Sequence, residues 1–286
     1  AEAGLSGGTF GQIRAKAEDG HQWRDWAIYV GGREEHQDGW RDLQSTDIQN
    51  FYSDLGYRHE DLELHANLLL GNSVLNGPGT APVELLQRDP AAQFTAPNAI
   101  SNRFLQFNLR QNYTFNEHTS FQVTEYYSYF QQRVVNGNAA NDAPCDSTAL
   151  AGLLCSDDDT PSTTRGGANI PDFLNGAPYS ELDTQTTNTN AFGITLQETD
   201  TRRILGMKNH QVLGFSFDGA QTMFYATSSI GGLTSDTREY IGPGVVIDEP
   251  GDNAPVGVGI TKRSYAGFFR RTLDLQKPLS RPFRGR

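Results

Sequence analysis

The chain has little positive charge, no long apolar run and few cysteines. Its 23 lysine and arginine residues stand against 34 aspartate and glutamate residues, a formal net charge of −11. That balance excludes the basic surface of a nucleic-acid binder. The best uncharged window, residues 64–83, is interrupted by three asparagines, three glycines and two prolines, so it cannot be a membrane-spanning helix.

The two cysteines, Cys145 and Cys155, have nine residues between them and lie in a polar stretch rich in aspartate, serine and threonine. This position favours a local disulfide formed in an oxidising compartment. Two free thiols in a cytosolic protein are the alternative.

Motifs of catalysis and of cofactor binding are missing as well. The sequence has no G-x-S-x-G elbow, no H-E-x-x-H and no P-loop, so we expect no enzyme activity and no cofactor. Asp157, Asp158 and Asp159 fail the EF-hand pattern, because Ser162 stands where glycine is needed and Ala168 where glutamate is needed. We expect solvated loop carboxylates there, with loop cation binding as the alternative.

Two further groups of residues could bind a metal by type, but nothing in the sequence fixes their geometry. The first is Glu34, Glu35, His36 and Asp38, and the second is the pair His59 and His65. We interpret the histidine pair as ordinary residues on the polar face of a strand, and we predict no metal site in the chain.

Period-2 alternation of apolar and polar residues runs through most of the chain, whereas helical spacing is almost absent. In residues 62–70, four leucines and one alanine alternate with Glu63, His65, Asn67 and Leu69. The pattern predicts an all-β chain of about nine strands, at 9–18, 22–33, 49–58, 61–71, 103–115, 119–134, 190–202, 210–227 and 262–275. One helix-like turn is expected within 80–96.

The connections alternate strictly between short and long. Short turns are predicted near Glu18–His21, Arg58–Asp61, Asn116–Thr119, Leu205–His210 and Gln276–Ser280. Long segments lie between them, at about 34–48, 72–102, 135–189 and 228–261. In an up-and-down barrel, successive connections emerge at opposite ends. The alternation is therefore typical of an outer-membrane barrel, with short periplasmic turns and long extracellular loops.

The two strand faces fit such a barrel, with one exception. One face is apolar, and the other carries amides, hydroxyls and charges suited to a wet lumen. Glu125 falls on the apolar face. We expect it either to lie above the hydrocarbon layer or to sit beside a β-bulge that changes the face.

The sequence at this point resembles the barrel part of TonB-dependent outer-membrane receptors. The resemblance rests on units such as Phe51–Leu70 and Phe104–Phe130, and on the segments Asp38–Asp42 (DGWRD) and Ala81–Leu86 (APVELL). It implies an antiparallel up-and-down transmembrane β-barrel, of which about nine strands are seen here, whereas barrels of this kind have 22. Residues 1–286 are then expected to be part of the barrel domain, without the plug domain and without the C-terminal strands.

The resemblance also implies a function and partners. These are TonB-energised uptake of a scarce solute such as an iron–siderophore complex, location in the Gram-negative outer membrane, contact with its lipid, and contact with the TonB complex through the plug domain. A metal chelate or similar small molecule would bind the long loops. The candidate contact residues there are Trp40, Asp157, Asp158, Asp159, Phe173 and Tyr179.

Two alternatives remain at the level of sequence. A passive outer-membrane porin would need opposed charged ladders in its lumen, whereas the polar faces here are richer in glutamine, asparagine, serine and threonine. A soluble β-sandwich that binds carbohydrate would normally have short turns at both ends.

Overall fold

The structure is a computed structural model, and it describes residues 1–77, 79–156, 159–248 and 255–274. Asp157 and Asp158, two of the candidate contact residues, lie outside the described residues, as does the turn predicted at Gln276–Ser280. The described chain is almost entirely β-strand, which confirms the all-β prediction.

The strands vary greatly in length. They are β1 Glu2–Gly7, β2 Ile13–Trp23, β3 Trp26–Gln37, β4 Ser45–His59, β5 Leu62–Asn76, β6 Asn98–Asn116, β7 Thr119–Ala139, β8 Ala143–Pro144, β9 Leu154–Cys155, β10 Thr163–Thr164, β11 Tyr179–Asp200, β12 Lys208–Leu233, β13 Tyr240–Asp248 and β14 Val256–Asp274. A six-residue helix α1, Val83–Arg88, confirms the predicted helical turn, and a 3₁₀ turn covers Thr148–Leu150. No helix of the described residues is long and apolar enough to cross a membrane.

One antiparallel sheet contains all the long strands, each paired with its neighbours in chain order from β1 to β7 and then through β11 and β12. Beyond β12 the sheet continues in two strands: β14 pairs with residues 208–226 of β12, and β13 with residues 229–233. We call β1–β7, β11, β12 and β14 the wall. Because these strands form a single up-and-down sheet, the β-sandwich alternative is wrong.

The alternation of connections is confirmed. At one end, strands are joined by residues 24–25, 60–61, 117–118 and 201–207. At the other end the connections are residues 8–12, 38–44, 77–97, 140–178 and 234–255. The loops are shorter than predicted because the strands run further toward this end, where glycines and polar residues interrupt the period-2 pattern.

The turn predicted at Glu18–His21 is wrong. Gly20 pairs with Tyr29 inside the β2–β3 ladder, and the turn itself is Arg24–Asp25, between the paired Trp23 and Trp26. An Asp-Gly pair favours a turn locally, but pairing with the neighbouring strand overrides that preference here. The sequence analysis also missed β1, a short strand with two glycines and no clear alternation.

Register assigns every wall residue to one of two faces. A continuous row of paired residues crosses eight strands on the apolar face: Ile28, Leu55, Ala66, Leu109, Glu125, Ile194, Phe217 and Tyr265. Glu125 is the one carboxylate in this row. No register shift occurs near it in either of its ladders, so the β-bulge explanation for its position is wrong.

The buried core lies at the end with the long connections. It consists of Leu154, Ile170, Tyr179, Ile230 and Ile247. Residues 140–178 and β13 supply three of these side chains, and the upper ends of β11 and β12 supply the other two. We call residues 140–178 together with β13 the cap. Tyr179 and Ile230 belong to the polar face by register, so the cap core packs on that side of the wall.

Candidate ligand-contact surface

The cap is held by a short disulfide-bonded hairpin. Strands β8 and β9 pair Ala143 with Cys155, and a disulfide joins Cys145 to Cys155 with their Cα atoms 4.9 Å apart. Asp159 is positioned beside it, since its Oδ1 accepts a hydrogen bond from the backbone N–H of Asp146 at 2.9 Å. Both sulfurs are bonded to each other, so neither offers the thiolate that a metal would require.

The aromatic candidates of the 170–179 loop come together in the core of the cap. The rings of Phe173 and Tyr179 meet edge to face, with centroids 5.2 Å apart. The Tyr179 hydroxyl donates to Asp172 Oδ1 at 2.8 Å and accepts from the backbone N–H of Leu174 at 2.9 Å. Tyr179 is only 3% exposed, so in this arrangement it shapes the cap rather than presenting a surface.

Trp40 lies in a different loop, residues 38–44, and its ring is exposed. The Arg41 guanidinium stands 5.7 Å from the ring centroid. Of the candidate contact residues that the structure describes, Trp40 presents the largest free aromatic surface. Phe173 and Tyr179 are in contact within the cap, whereas Trp40 lies apart from them in loop 38–44.

The C-terminal part of the connection in which the sequence analysis expected a helical turn ties three connections together. Residues 91–97, which we call the strap, bond to loop 38–44 through Asp42 N–H to Ala91 O (2.9 Å) and the Arg41 guanidinium to Ala92 O (2.6 Å). The strap also bonds to the hairpin between β12 and β13, where Ala96 N–H donates to Arg238 O (3.0 Å) and Tyr240 N–H donates to Ala96 O (2.7 Å). Periodicity could not have found these contacts, because they run between loops through backbone groups.

The strap lies on the apolar-face side of the wall. Gly137 of β7 shares that face with Glu125 by register, and a Cβ atom at Gly137 would come within 2.4 Å of Ala96 O. The Arg238 side chain completes the contact, since its Nε donates to Phe94 O and its guanidinium lies 4.6 Å from the Phe94 ring centroid. The strap therefore lies on the apolar-face side and the core of the cap on the polar-face side, and the two are joined directly through Tyr240, the first residue of β13.

The residues considered for metal binding are committed to other partners. Glu35 accepts hydrogen bonds from Arg14, Arg33 and Gln12, and His36 lies between Asp47 (2.6 Å) and Asp38 (3.1 Å). The set of Glu34, Glu35, His36 and Asp38 does not converge on one point among the described residues. His59 contacts Asp25 at 2.9 Å, and His65 contacts Asp54 at 3.2 Å, as ordinary pairs on the wall surface.

Cross-strand polar contacts cover the polar face of the wall. Tyr126 donates to Asp218 at 2.8 Å, and Asn138 donates to Asp183 at 2.7 Å. Such a face is suited to water and to polar solutes moving past it.

The comparisons with known proteins support the fold. No family model and no curated protein match the sequence. Among solved structures, the chain is similar to the ferric preacinetobactin receptor BauA of Acinetobacter baumannii (TM-score 0.57, 10% identity) and to the unliganded ferric citrate transporter FecA (TM-score 0.59, 9% identity). Each alignment covers 93% of this chain but only 37% and 33% of the respective receptor chain. The chain thus has the fold of part of these barrels and spans about a third of their length.

Proposed function

We propose that this chain forms part of the barrel wall and the extracellular loops of an outer-membrane receptor. Its role would be TonB-energised uptake of a scarce solute such as an iron–siderophore complex. The observation that carries the proposal is that the longest connections, residues 77–97, 140–178 and 234–255, all emerge at one end of a single sheet with an apolar and a polar face, whereas the other end has connections of two to seven residues. The similarity of its fold to two ferric-complex receptors supports it.

In this proposal the apolar face contacts outer-membrane lipid and the polar face lines the lumen. The two edge strands of the wall, β1 and β14, each have one unpaired side among the described residues. Since lipid cannot satisfy open backbone groups, further strands must complete the barrel, and residues 1–286 are then one part of the barrel domain. TonB would act through a plug domain outside this chain.

The cap and Trp40 would supply the solute-contacting surface. Trp40 offers an exposed ring, and the cap presents Asp159 and Phe173 around a fixed core. No covalent chemistry is required, because capture and passage depend only on binding and on movement of the plug.

An uptake assay in a Gram-negative host that lacks its own siderophore receptors tests the proposal. The full-length protein should restore accumulation of radiolabelled iron from at least one ferric siderophore, and deletion of TonB should abolish it. Uptake that persists without TonB would favour the passive porin. A protein that stays in the soluble fraction without detergent would overturn both.

A further inference from the structure

The outer rim of the wall contains a cavity that the proposed uptake does not use. It has a volume of about 340 Å³, at the lower end of the range for small-molecule sites, roughly 300–1,000 Å³. Loop 38–44, the strap, the wall and the β12–β13 hairpin all contribute to it. The polar residues that line it are Gln44, Ser45, Asn76, Gln93, Asn98 and Glu239.

Register places Ser45 and Asn76 of this cavity on the apolar-face side, whereas Asn98, the first residue of β6, has the parity of the polar face and lines the cavity from the rim of the wall. Ser45 lies six residues from Phe51 in β4, and Asn76 lies six residues from Leu70 in β5, on the same faces and with no register shift between them. Six residues span about 20 Å along a strand. The cavity therefore lies above the apolar band, on the outside of the wall.

Hydrogen bonding leaves oxygen atoms as the free groups of two key side chains. The Gln93 amide nitrogen donates to the Asp42 carbonyl, and the Asn98 amide nitrogen donates to the Thr95 carbonyl at 2.7 Å. Because a carbonyl can only accept, these bonds fix both amides with their oxygens free. Gln93 is only 5% exposed, and its Oε1 accepts no hydrogen bond from the described residues.

The cavity also carries a negative charge. Glu239 lines the cavity, and the backbone bridge between Ala96 and Glu239 fixes its position. Within the described part of the chain, one of its carboxylate oxygens is engaged, by the Thr237 hydroxyl at 2.7 Å, and the other accepts no hydrogen bond. Among the residues that the structure describes, no lysine, arginine or histidine lines the cavity.

Two donors also line the cavity: the Gln44 amide nitrogen, since Gln44 Oε1 accepts from the Arg41 backbone N–H, and the Ser45 hydroxyl, since Ser45 Oγ accepts from Asn76. The site therefore offers both acceptors and donors, and the Glu239 carboxylate makes it attract positive charge and disfavour anionic groups.

We propose that this cavity binds an amino sugar unit. Hydroxyl groups of the sugar would donate to the amide oxygens of the cavity, and the ammonium group would pair with Glu239. This inference goes beyond the proposed uptake, because the cavity lies outside the lumen. The same sugar chemistry could come from a free saccharide or from a glycolipid headgroup at the membrane surface.

Calorimetric titration of the full-length protein in detergent tests the site without any uptake. The probes are glucosamine, glucose and glucuronic acid, and each would be titrated into the wild type and two variants. Glu239→Gln removes the charge within the cavity. Glu84→Gln makes the same change in α1 of the same connection, at a residue that does not line the cavity.

We expect glucosamine to bind more tightly than glucose, and glucuronic acid not to bind. Glu239→Gln should weaken the binding of glucosamine about tenfold, because one hydrogen-bonded charge pair is lost. The affinity for glucose should not change. Glu84→Gln should bind like the wild type. The proposal is overturned if glucosamine does not bind, if glucuronic acid binds as well as glucosamine, or if both variants lose affinity equally.

A second arm distinguishes the two sources of the sugar. The protein would be placed in nanodiscs whose lipid carries either a terminal glucosamine or a terminal glucose. Competition by the glucosamine lipid against soluble glucosamine indicates a headgroup ligand, and the absence of competition indicates a free saccharide. Iron uptake by Glu239→Gln should equal that of the wild type, so the two proposals fail independently.

Discussion

The wall and the cap deal with apolar side chains in opposite ways. In the wall, large apolar residues such as Phe192 and Tyr265 point away from the sheet and are 52% and 67% exposed in the isolated chain. In the cap, Leu154 and Ile230 are completely buried against one another and their neighbours. The wall therefore depends on its surroundings to cover its apolar face, whereas the cap carries its own core.

The largest expected effect is the loss of stability when a leucine is truncated, which should be much greater in the cap than in the wall. Leu154→Ala should destabilise the cap by about 2–5 kcal/mol, because it opens a cavity in a closed core. Leu196→Ala, the same change on the half-exposed apolar face of β11, should cost much less. Hydrogen exchange at the amides of Leu154 and Ile170 reports the cap, and urea unfolding in lipid vesicles reports the wall. Equal losses for the two variants would break the comparison.

Removal of the disulfide should loosen the cap alone. Closing so short a loop contributes somewhat under ~3 kcal/mol, so the Cys145→Ser, Cys155→Ser double variant should be cut faster by protease within residues 140–178. The wall should migrate on a gel, heated and unheated, as in the wild type. Reduction of the wild-type protein should reproduce the variant, and faster cleavage across the wall strands would contradict the assignment.

Two glycines on strands test how closely the strap approaches the wall. Gly137→Ala forces a Cβ against the backbone of Ala96 and should cost about 1–3 kcal/mol. At Gly71 a Cβ would meet only ordinary contacts at 3.4 Å and beyond, so Gly71→Ala is the matched control. We expect the amides of Ala96 and Tyr240 to exchange faster in Gly137→Ala and to exchange at the wild-type rate in Gly71→Ala. If both variants behave alike, the strap does not rest on Gly137.

The smallest expected change in stability concerns Glu125, the carboxylate on the apolar face of the wall. Under the proposed lipid contact, Glu125→Gln should stabilise the wall by about 1 kcal/mol, since a carboxylate facing hydrocarbon is unfavourable. Glu198→Gln, toward the end of β11, should change stability less. Urea unfolding in phospholipid vesicles measures both. A loss of stability in Glu125→Gln would show that the carboxylate has a favourable partner.

The strand pattern of the wall could be predicted because each residue's face depends only on its position along its own strand. In residues 62–70, alternation alone predicts which side chains share a face, and the observed pairing with β4 and β6 agrees with it. Prediction failed at Asp19 and Gly20, where a local turn preference is overridden by pairing with β3. It also failed at the upper ends of β7, β11 and β12, where glycines and polar residues interrupt the apolar alternation.

The candidate surface was less predictable, since its contacts are distant along the chain. Cys145 and Cys155 are close enough in sequence for their pairing to be expected from their setting. Nothing in the sequence indicated that Tyr179 would be buried against Ile230 and Ile247, or that Arg238 would reach Phe94 across 144 residues. Aromatic and acidic residues in loops look alike in sequence whether they form a core or a surface.

The sequence by itself determined nine of the ten wall strands, their order and their two faces, because period-2 alternation acts between neighbouring residues. The tertiary structure alone decided that the long connections are tied into a cap, whose core packs on the polar face, and a strap on the apolar face that bonds to the cap through Tyr240. Those contacts depend on backbone groups and on side chains brought together from connections far apart, and their closure has no local pattern. The outer cavity beneath the strap arises in the same way, from four segments that meet only in the folded chain.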